Sequence, residues 1–196
     1  MSAPRSRRWQ AIAGGLLMAV AVTGAAAAVE ENGARFSEQL PLDGESLELT
    51  GTGVAKYRIV ITVYAAGLYL PANTGASEVL AADTPRALAI EYFHDISAAD
   101  IIKAARTKLD EQLSASQLEK LEPAIKRFHA LYQGVSDGDR YRMEYSPGKG
   151  TQLLFNGDAV GRVGGADFAR AYFGIWLDRD DPLSKRLRRD LLAGID

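Results

Sequence analysis

The stretch from Leu47 to Leu70 constrains this chain more than any other. It is dense in β-branched and aromatic side chains, among them Tyr57, Ile59, Val60, Ile61, Val63, Tyr64 and Tyr69. Such residues lose rotamer freedom in a helix and pack well on a pleated surface. The stretch therefore reads as one or two long strands. Gly51-Thr52-Gly53 marks a bend or bulge, or a place where another backbone comes close. Pro71 and Asn73 to Gly75 close the segment. Strands of this length need a sheet, and the sheet needs a cover.

The rest of the chain supplies both. Residues 29–46 are mixed and polar, with Pro41 and Asp43-Gly44 as turn signals. Ser77 to Ala82 reads as one helical turn, and Ala87 to Phe93 as a strand. Ser97 opens a helix, with Asp100 three residues on as the acid of a capping box. Ile101, Ile102, Ala105 and Leu109 form its apolar stripe. A second helix starts near Ser114 or Ser116. Its Leu118, Leu121, Ile125, Phe128 and Leu131 recur at helical spacing, and Gly134 fits its stop. Pro123 either belongs to the first turn of a later start or kinks this helix. Residues 137–163 read as a β meander. Tyr141, Met143 and Tyr145 alternate there with Arg140, Arg142 and Glu144, and Asn156-Gly157 is a hairpin signal. Two more helices follow, Asp167 to Leu177 and Asp181 to Leu192, with Pro182 opening the second. Few strands are joined by a crossover helix. The expectation is an α+β domain with a large antiparallel sheet and helices layered on one face, not a doubly wound parallel sheet.

The N-terminus speaks to location. Arg5, Arg7 and Arg8 precede an apolar run from Ala11 to Val22, and small residues from Gly24 to Ala28 follow. This is the order of a secretory signal peptide, and the run is shorter than the ~20 residues of a spanning helix. The expected domains are a signal at 1–28 and one folded domain at 29–196, in a periplasmic or secreted protein. The membrane would be met only through an uncleaved signal. Removing the signal leaves 20 basic against 25 acidic side chains, a net charge of about −5. A mildly acidic chain is a poor partner for nucleic acid.

Several chemistries fall away. There is no cysteine, hence no disulfide, thiolate nucleophile or lipid-anchored N-terminal Cys. His94 and His129 are the only histidines. Two cannot build a His-rich metal site, so no metal is expected, and no motif calls for a cofactor. His94 beside Asp95 is either an oriented acid–base pair or a strand-end turn, and the turn is favoured. Gly161, Gly164 and Gly165 lack the Lys-Ser/Thr ending of a phosphate loop. The basic run Lys185, Arg186, Arg188 and Arg189 reads as a solvated helix face. Phe168, Tyr172, Phe173 and Trp176 read as core, or as the apolar wall of a ligand cleft.

Motifs in fixed order then suggest a family. They are Leu49-Thr50-Gly51-Thr52-Gly53-Val54, Val63-Tyr64-Ala65-Ala66-Gly67-Leu68-Tyr69-Leu70-Pro71 and Phe93-His94-Asp95-Ile96-Ser97. Gly138-Asp139, Gly150 to Gly157, Asp167-Phe168, Phe173 to Leu177 and Pro182-Leu183 follow. Together they resemble the chalcone-isomerase-like family, in particular its bacterial exported branch. The resemblance implies an open-faced sandwich whose cleft lies between sheet and helices. In plant enzymes of the family that cleft holds a flavonoid; other relatives bind fatty acids or assist a partner enzyme.

The resemblance also points to residues. The family Arg after a Gly-x-Gly falls nearest Lys56, with Arg58 as the other choice, and a family Thr corresponds to Tyr64. The Tyr and Asn that the enzymes supply from a mid-chain helix have no match in residues 97–113. On a single strand, Lys56, Arg58, Val60, Thr62 and Tyr64 share one face. That face either presents cations and hydroxyls to an anionic ligand head or is simply solvated. Lys56, Arg58, Thr62 and Tyr64 are thus the candidate ligand-binding residues, and Lys56, Arg58 and Tyr64 the catalytic candidates. The function expected is a non-catalytic exported protein binding a small lipophilic molecule such as a fatty acid. The alternatives are an intramolecular lyase cyclising chalcone-like enones and a ligand-free envelope interaction protein.

Overall fold

Seven strands hydrogen-bond in the order in which they occur along the chain, every neighbour antiparallel. The structure is a computed structural model that describes residues 27–58 and 60–195. All but the last two residues of the expected signal, 1–28, lie outside the described residues. The sheet runs β3 (Gln39–Leu42), β4 (Glu45–Tyr57), β5 (Ile61–Leu70), β6 (Arg86–Tyr92), β7 (Arg140–Ser146), β8 (Gly150–Phe155) and β9 (Asp158–Val163). A separate hairpin, β1 (Ala28–Glu31) with β2 (Ala34–Ser37), precedes it. The helices are α1 (Ala98–Gln112) and α2 (Ala115–His129), between β6 and β7, then α3 (Ala166–Leu177) and α4 (Lys185–Leu191) after β9.

Local chemistry accounts for the corners. Asn32-Gly33, Asp43-Gly44 and Asn156-Gly157 all have positive φ at both positions, the geometry of a two-residue hairpin turn whose twist matches the strands. Ser97 caps α1 by accepting from the Asp100 N–H at 3.1 Å. Ser114 and Gln117 form a reciprocal capping box at the start of α2. Pro123 lies inside α2, which ends at His129, short of Gly134. The 77–82 segment is a run of turns rather than a helix. The last helix starts later than Pro182, because Ser184 is its cap while the Leu183 N–H donates to the Ile175 carbonyl.

Residues 29–46 form three strands where the sequence looked only mixed and polar. Ala34, Phe36, Leu40 and Leu42 alternate inward, a two-residue period obscured by Pro41 and the turn residues. They cover the face of the sheet away from the helices, with Phe36 packing near Ala65 and Leu40 and Leu42 near Tyr69. The helices share the other face and bury Leu109, Ile125, Phe128, Phe168, Tyr172 and Phe173 against it. The glycines of β4 meet both expectations, since the pairing with β5 shifts register between Leu49 and Gly51. A Cβ on Gly51 would stand 2.2 Å from the Asp190 carbonyl oxygen, so its absence lets α4 lie against the strand.

Candidate ligand cavity

Between the sheet and the helices the packing leaves a cavity of about 350 Å3. β5, β6 and β7 give Tyr64, Leu88, Ile90, Tyr92, Tyr141 and Met143 to its sheet side. Ile101 and Ala105 of α1 and Ile175 and Trp176 of α3 form the helix side, and Tyr132 follows α2. Tyr57, Asp100 and Leu183, all exposed, mark where it opens. The loop carrying Leu183 is tied to α1. Lys108 pairs with the Asp181 carboxylate at 2.8 Å, and Gln112 donates to the Asp181 carbonyl at 2.6 Å.

The lining is apolar apart from tyrosine hydroxyls, the Trp176 N–H and Asp100. No Lys, Arg or His lines it among the described residues. Trp176 Nε1 donates to the Tyr64 hydroxyl at 2.8 Å. Burial pushes the Tyr64 phenol up to about 12, against the opposing bond from Trp176. Tyr92 and Tyr132 are held well above the ordinary phenol range, first by burial and then by neighbouring tyrosines. Rings meet edge to face, Tyr64 with Tyr92 at 5.6 Å and Tyr132 with Tyr141 at 4.9 Å between centroids. All these phenols stay protonated at neutral pH. Another depression, about 470 Å3, is bordered by Gln112, Gln117, Lys120, Asp167 and Arg170. It is a charged surface groove, bridged by the Lys120–Asp167 ion pair.

The sequence-derived site residues separate. β4 ends at Tyr57 and β5 begins at Ile61, and the two pair antiparallel, so the single face drawn through Lys56, Arg58, Thr62 and Tyr64 does not exist. Lys56 pairs with Thr62 and Ala55 with Tyr64, with a register shift between the two pairs. Val63 and Tyr64 both reach the cavity across that irregularity. Tyr64 is buried, and the residue facing it from β4 is Ala55. Lys56 and Arg58 are exposed on the hairpin, Thr62 is half-buried, and none of the three lines the cavity. The Arg58 guanidinium lies over the Tyr57 ring, 5.2 Å from its centroid. Arg58, a residue with no turn signature, takes φ +47 just after β4.

Other candidates resolve more simply. His94 and Asp95 are exposed and outside the cavity lining. His129 is half-buried against Tyr172, and burial lowers its pKa, with Arg106 adding to the effect. Of the α3 aromatics, Phe168, Tyr172 and Phe173 are core, and Trp176 lines the cavity. Tyr92, Tyr132 and Tyr141 were not singled out as site residues. The alternation of Tyr141 with charged neighbours was the one available signal, and it signals an inward face, not a cavity.

Comparison with known proteins bears on this architecture. A family model described as chalcone isomerase-like matches residues 28–193. None of the curated protein sequences compared with the chain matches it. The crystal structure of a fatty-acid binding protein from Arabidopsis thaliana superposes with a TM-score of 0.65 at 20% identity, covering 85% of this chain and 96% of that one.

Proposed function

This chain belongs to the chalcone isomerase-like family, and from that premise we propose that it binds a small lipophilic molecule without transforming it. The observation that carries the proposal is the cavity. It is enclosed by sheet and helices, lined by aliphatic and aromatic side chains, and of a size within the usual ligand range of about 300–1,000 Å3. The fold neighbour named for fatty-acid binding adds support for a lipophilic ligand. Cyclisation of an enone needs a cation or donor at the developing enolate. The cavity offers phenol donors, but the cationic candidates Lys56 and Arg58 lie outside its lining and Ala55 faces Tyr64 from β4, so the binding reading has the better support. Tyr64 is the proposed ligand contact, with Lys56 and Arg58 outside on the hairpin. We propose further that residues 1–28 direct export and that the mature chain starts at Val29. N-terminal sequencing of the protein recovered from its own compartment tests this, and an intact Met1 would overturn it.

The binding proposal is tested by purifying the protein from its own host and comparing native with denaturing mass spectra. A stoichiometric lipophile lost on denaturation is expected. Ala105→Leu, which puts three further carbons into the cavity, should reduce the bound fraction at least about tenfold while changing stability by less than about 1.5 kcal/mol. Unchanged loading of that variant would place the ligand elsewhere. A protein that never carries a ligand would favour the interaction-protein reading.

A further inference from the structure

The hydrogen atoms on the cavity's tyrosines narrow the ligand class, on the premise that the cavity is the binding site proposed above. An indole N–H can only donate. Because Trp176 donates to the Tyr64 oxygen, Tyr64 keeps its own hydroxyl hydrogen. Nothing among the described residues accepts it. Tyr64 is only 8% exposed and Tyr92 only 6%. The Tyr92 hydroxyl has no protein partner among the described residues either. Tyr132 adds a third hydroxyl, whose contact with the Tyr172 hydroxyl is long at 3.4 Å. The cavity thus presents hydroxyl hydrogens that no protein acceptor takes up among the described residues, free to be donated to a bound molecule.

The charge of the site acts in the same direction. Asp100 is the one charged side chain in the lining among the described residues. A carboxylate entering the cavity would leave water without meeting a cation and would pass an acid at the opening. Desolvating an ion costs far more than desolvating a carbonyl. A ketone, aldehyde or ester oxygen accepts from two phenols at little such cost.

We propose that the cavity selects uncharged lipophiles carrying a carbonyl-type acceptor oxygen, held by the Tyr64 and Tyr92 hydroxyls, over ionised carboxylates of the same chain length. The acceptor oxygen lies beside the Tyr64–Trp176 pair, and the apolar remainder lies between α1 and the sheet.

The test titrates the purified, delipidated protein with four probes of matched length at about pH 7.5: methyl decyl ketone, methyl dodecanoate, dodecanoate and dodecane. Ketone and ester should bind at least about tenfold tighter than dodecanoate, and the ketone at least about threefold tighter than dodecane. Tyr64→Phe and Tyr92→Phe should each weaken the ketone by about three- to tenfold and leave dodecane unchanged. Dodecanoate binding as tightly as the ketone would overturn the selectivity. Dodecane equalling the ketone would reduce the cavity to an apolar slot. If none of the four binds, the binding function itself fails, and this inference with it. The four-probe series on the unaltered protein decides the matter even if a variant does not fold.

Discussion

Phe173 and Trp176 lie about one turn apart on α3, yet they face two interiors built on opposite principles. Beside Phe173 the space is filled by Arg86, which is 0% exposed. Its guanidinium lies 5.0 Å from the Phe173 ring centroid and 4.4 Å from that of Tyr145. One terminal nitrogen donates to the carbonyls of Val79, Ala81 and Thr84, at 3.3, 2.9 and 3.0 Å. Burial lowers its pKa to about 10, which leaves it charged at neutral pH. Beside Trp176 the space is open, and the nearby polar atoms are phenols with unused hydrogens. One strand carries both arrangements, since β6 begins at Arg86 and ends at Tyr92. The filled end holds the 71–85 connection in place, while the open end leaves room for a ligand.

Arg86→Met tests the filled end and has the largest expected effect. It leaves three carbonyls without their donor and removes a cation from between two rings. The expected loss is about 3 kcal/mol, a fall in Tm of about 6–12 °C by scanning calorimetry. At the open end Trp176→Phe removes one donor and a little volume. About 1–2 kcal/mol is expected there. Equal losses at the two ends would break the comparison, because they would mean that Arg86 contributes no more than an ordinary buried contact.

What was legible in the sequence was local. The Ser97 cap, the Asn156-Gly157 hairpin, the apolar stripe of α1 and the meander of 140–163 all depend on neighbours a few residues apart. The glycines of β4 were readable as a close approach, although the partner, α4, was not. The cavity could not be read in the same way. It gathers side chains from β5, β6, β7, α1 and α3, and whether Trp176 meets protein or open space depends on what each of the others leaves unfilled. Periodicity equally cannot separate Phe173 from Trp176. The break between β4 and β5 was hidden for a different reason. The residues around it read as strand, and without the break the pattern assigns Lys56 and Tyr64 to a common face.

A smaller effect is expected at the end of β7, beyond the open interior. Asp139 accepts from the Asn156 side chain at 2.8 Å and from the Ser136 N–H at 2.7 Å. These bonds, the Asn156 one foremost, hold its carboxyl below the usual value of 3.8. A carboxyl depressed in the folded state contributes stability that is present above its unfolded value and lost as pH falls through its folded value. Stability should therefore decline below about pH 4, and Asp139→Asn should make that decline shallower in melts recorded from about pH 3 to 6. An unchanged slope would show that the turn holds without the ionised carboxylate.

The smallest effect is expected from the two cations that the sequence offered as a head-group site. Lys56 and Arg58 are exposed on the hairpin, outside the lining. Charges exposed to water are screened by salt over about 10 Å, and an uncharged lipophile offers them no opposite charge. The double variant Lys56→Met, Arg58→Met should therefore change affinity for an uncharged lipophile by less than about twofold, at low salt and high. A loss of about tenfold that disappears with added salt would reverse the picture. The ligand would then carry an anionic head held outside by the hairpin, and the open interior would accept only its tail. The donors of Tyr64 and Tyr92 would be left without a ligand partner, so this outcome and a carbonyl seated on those phenols exclude one another.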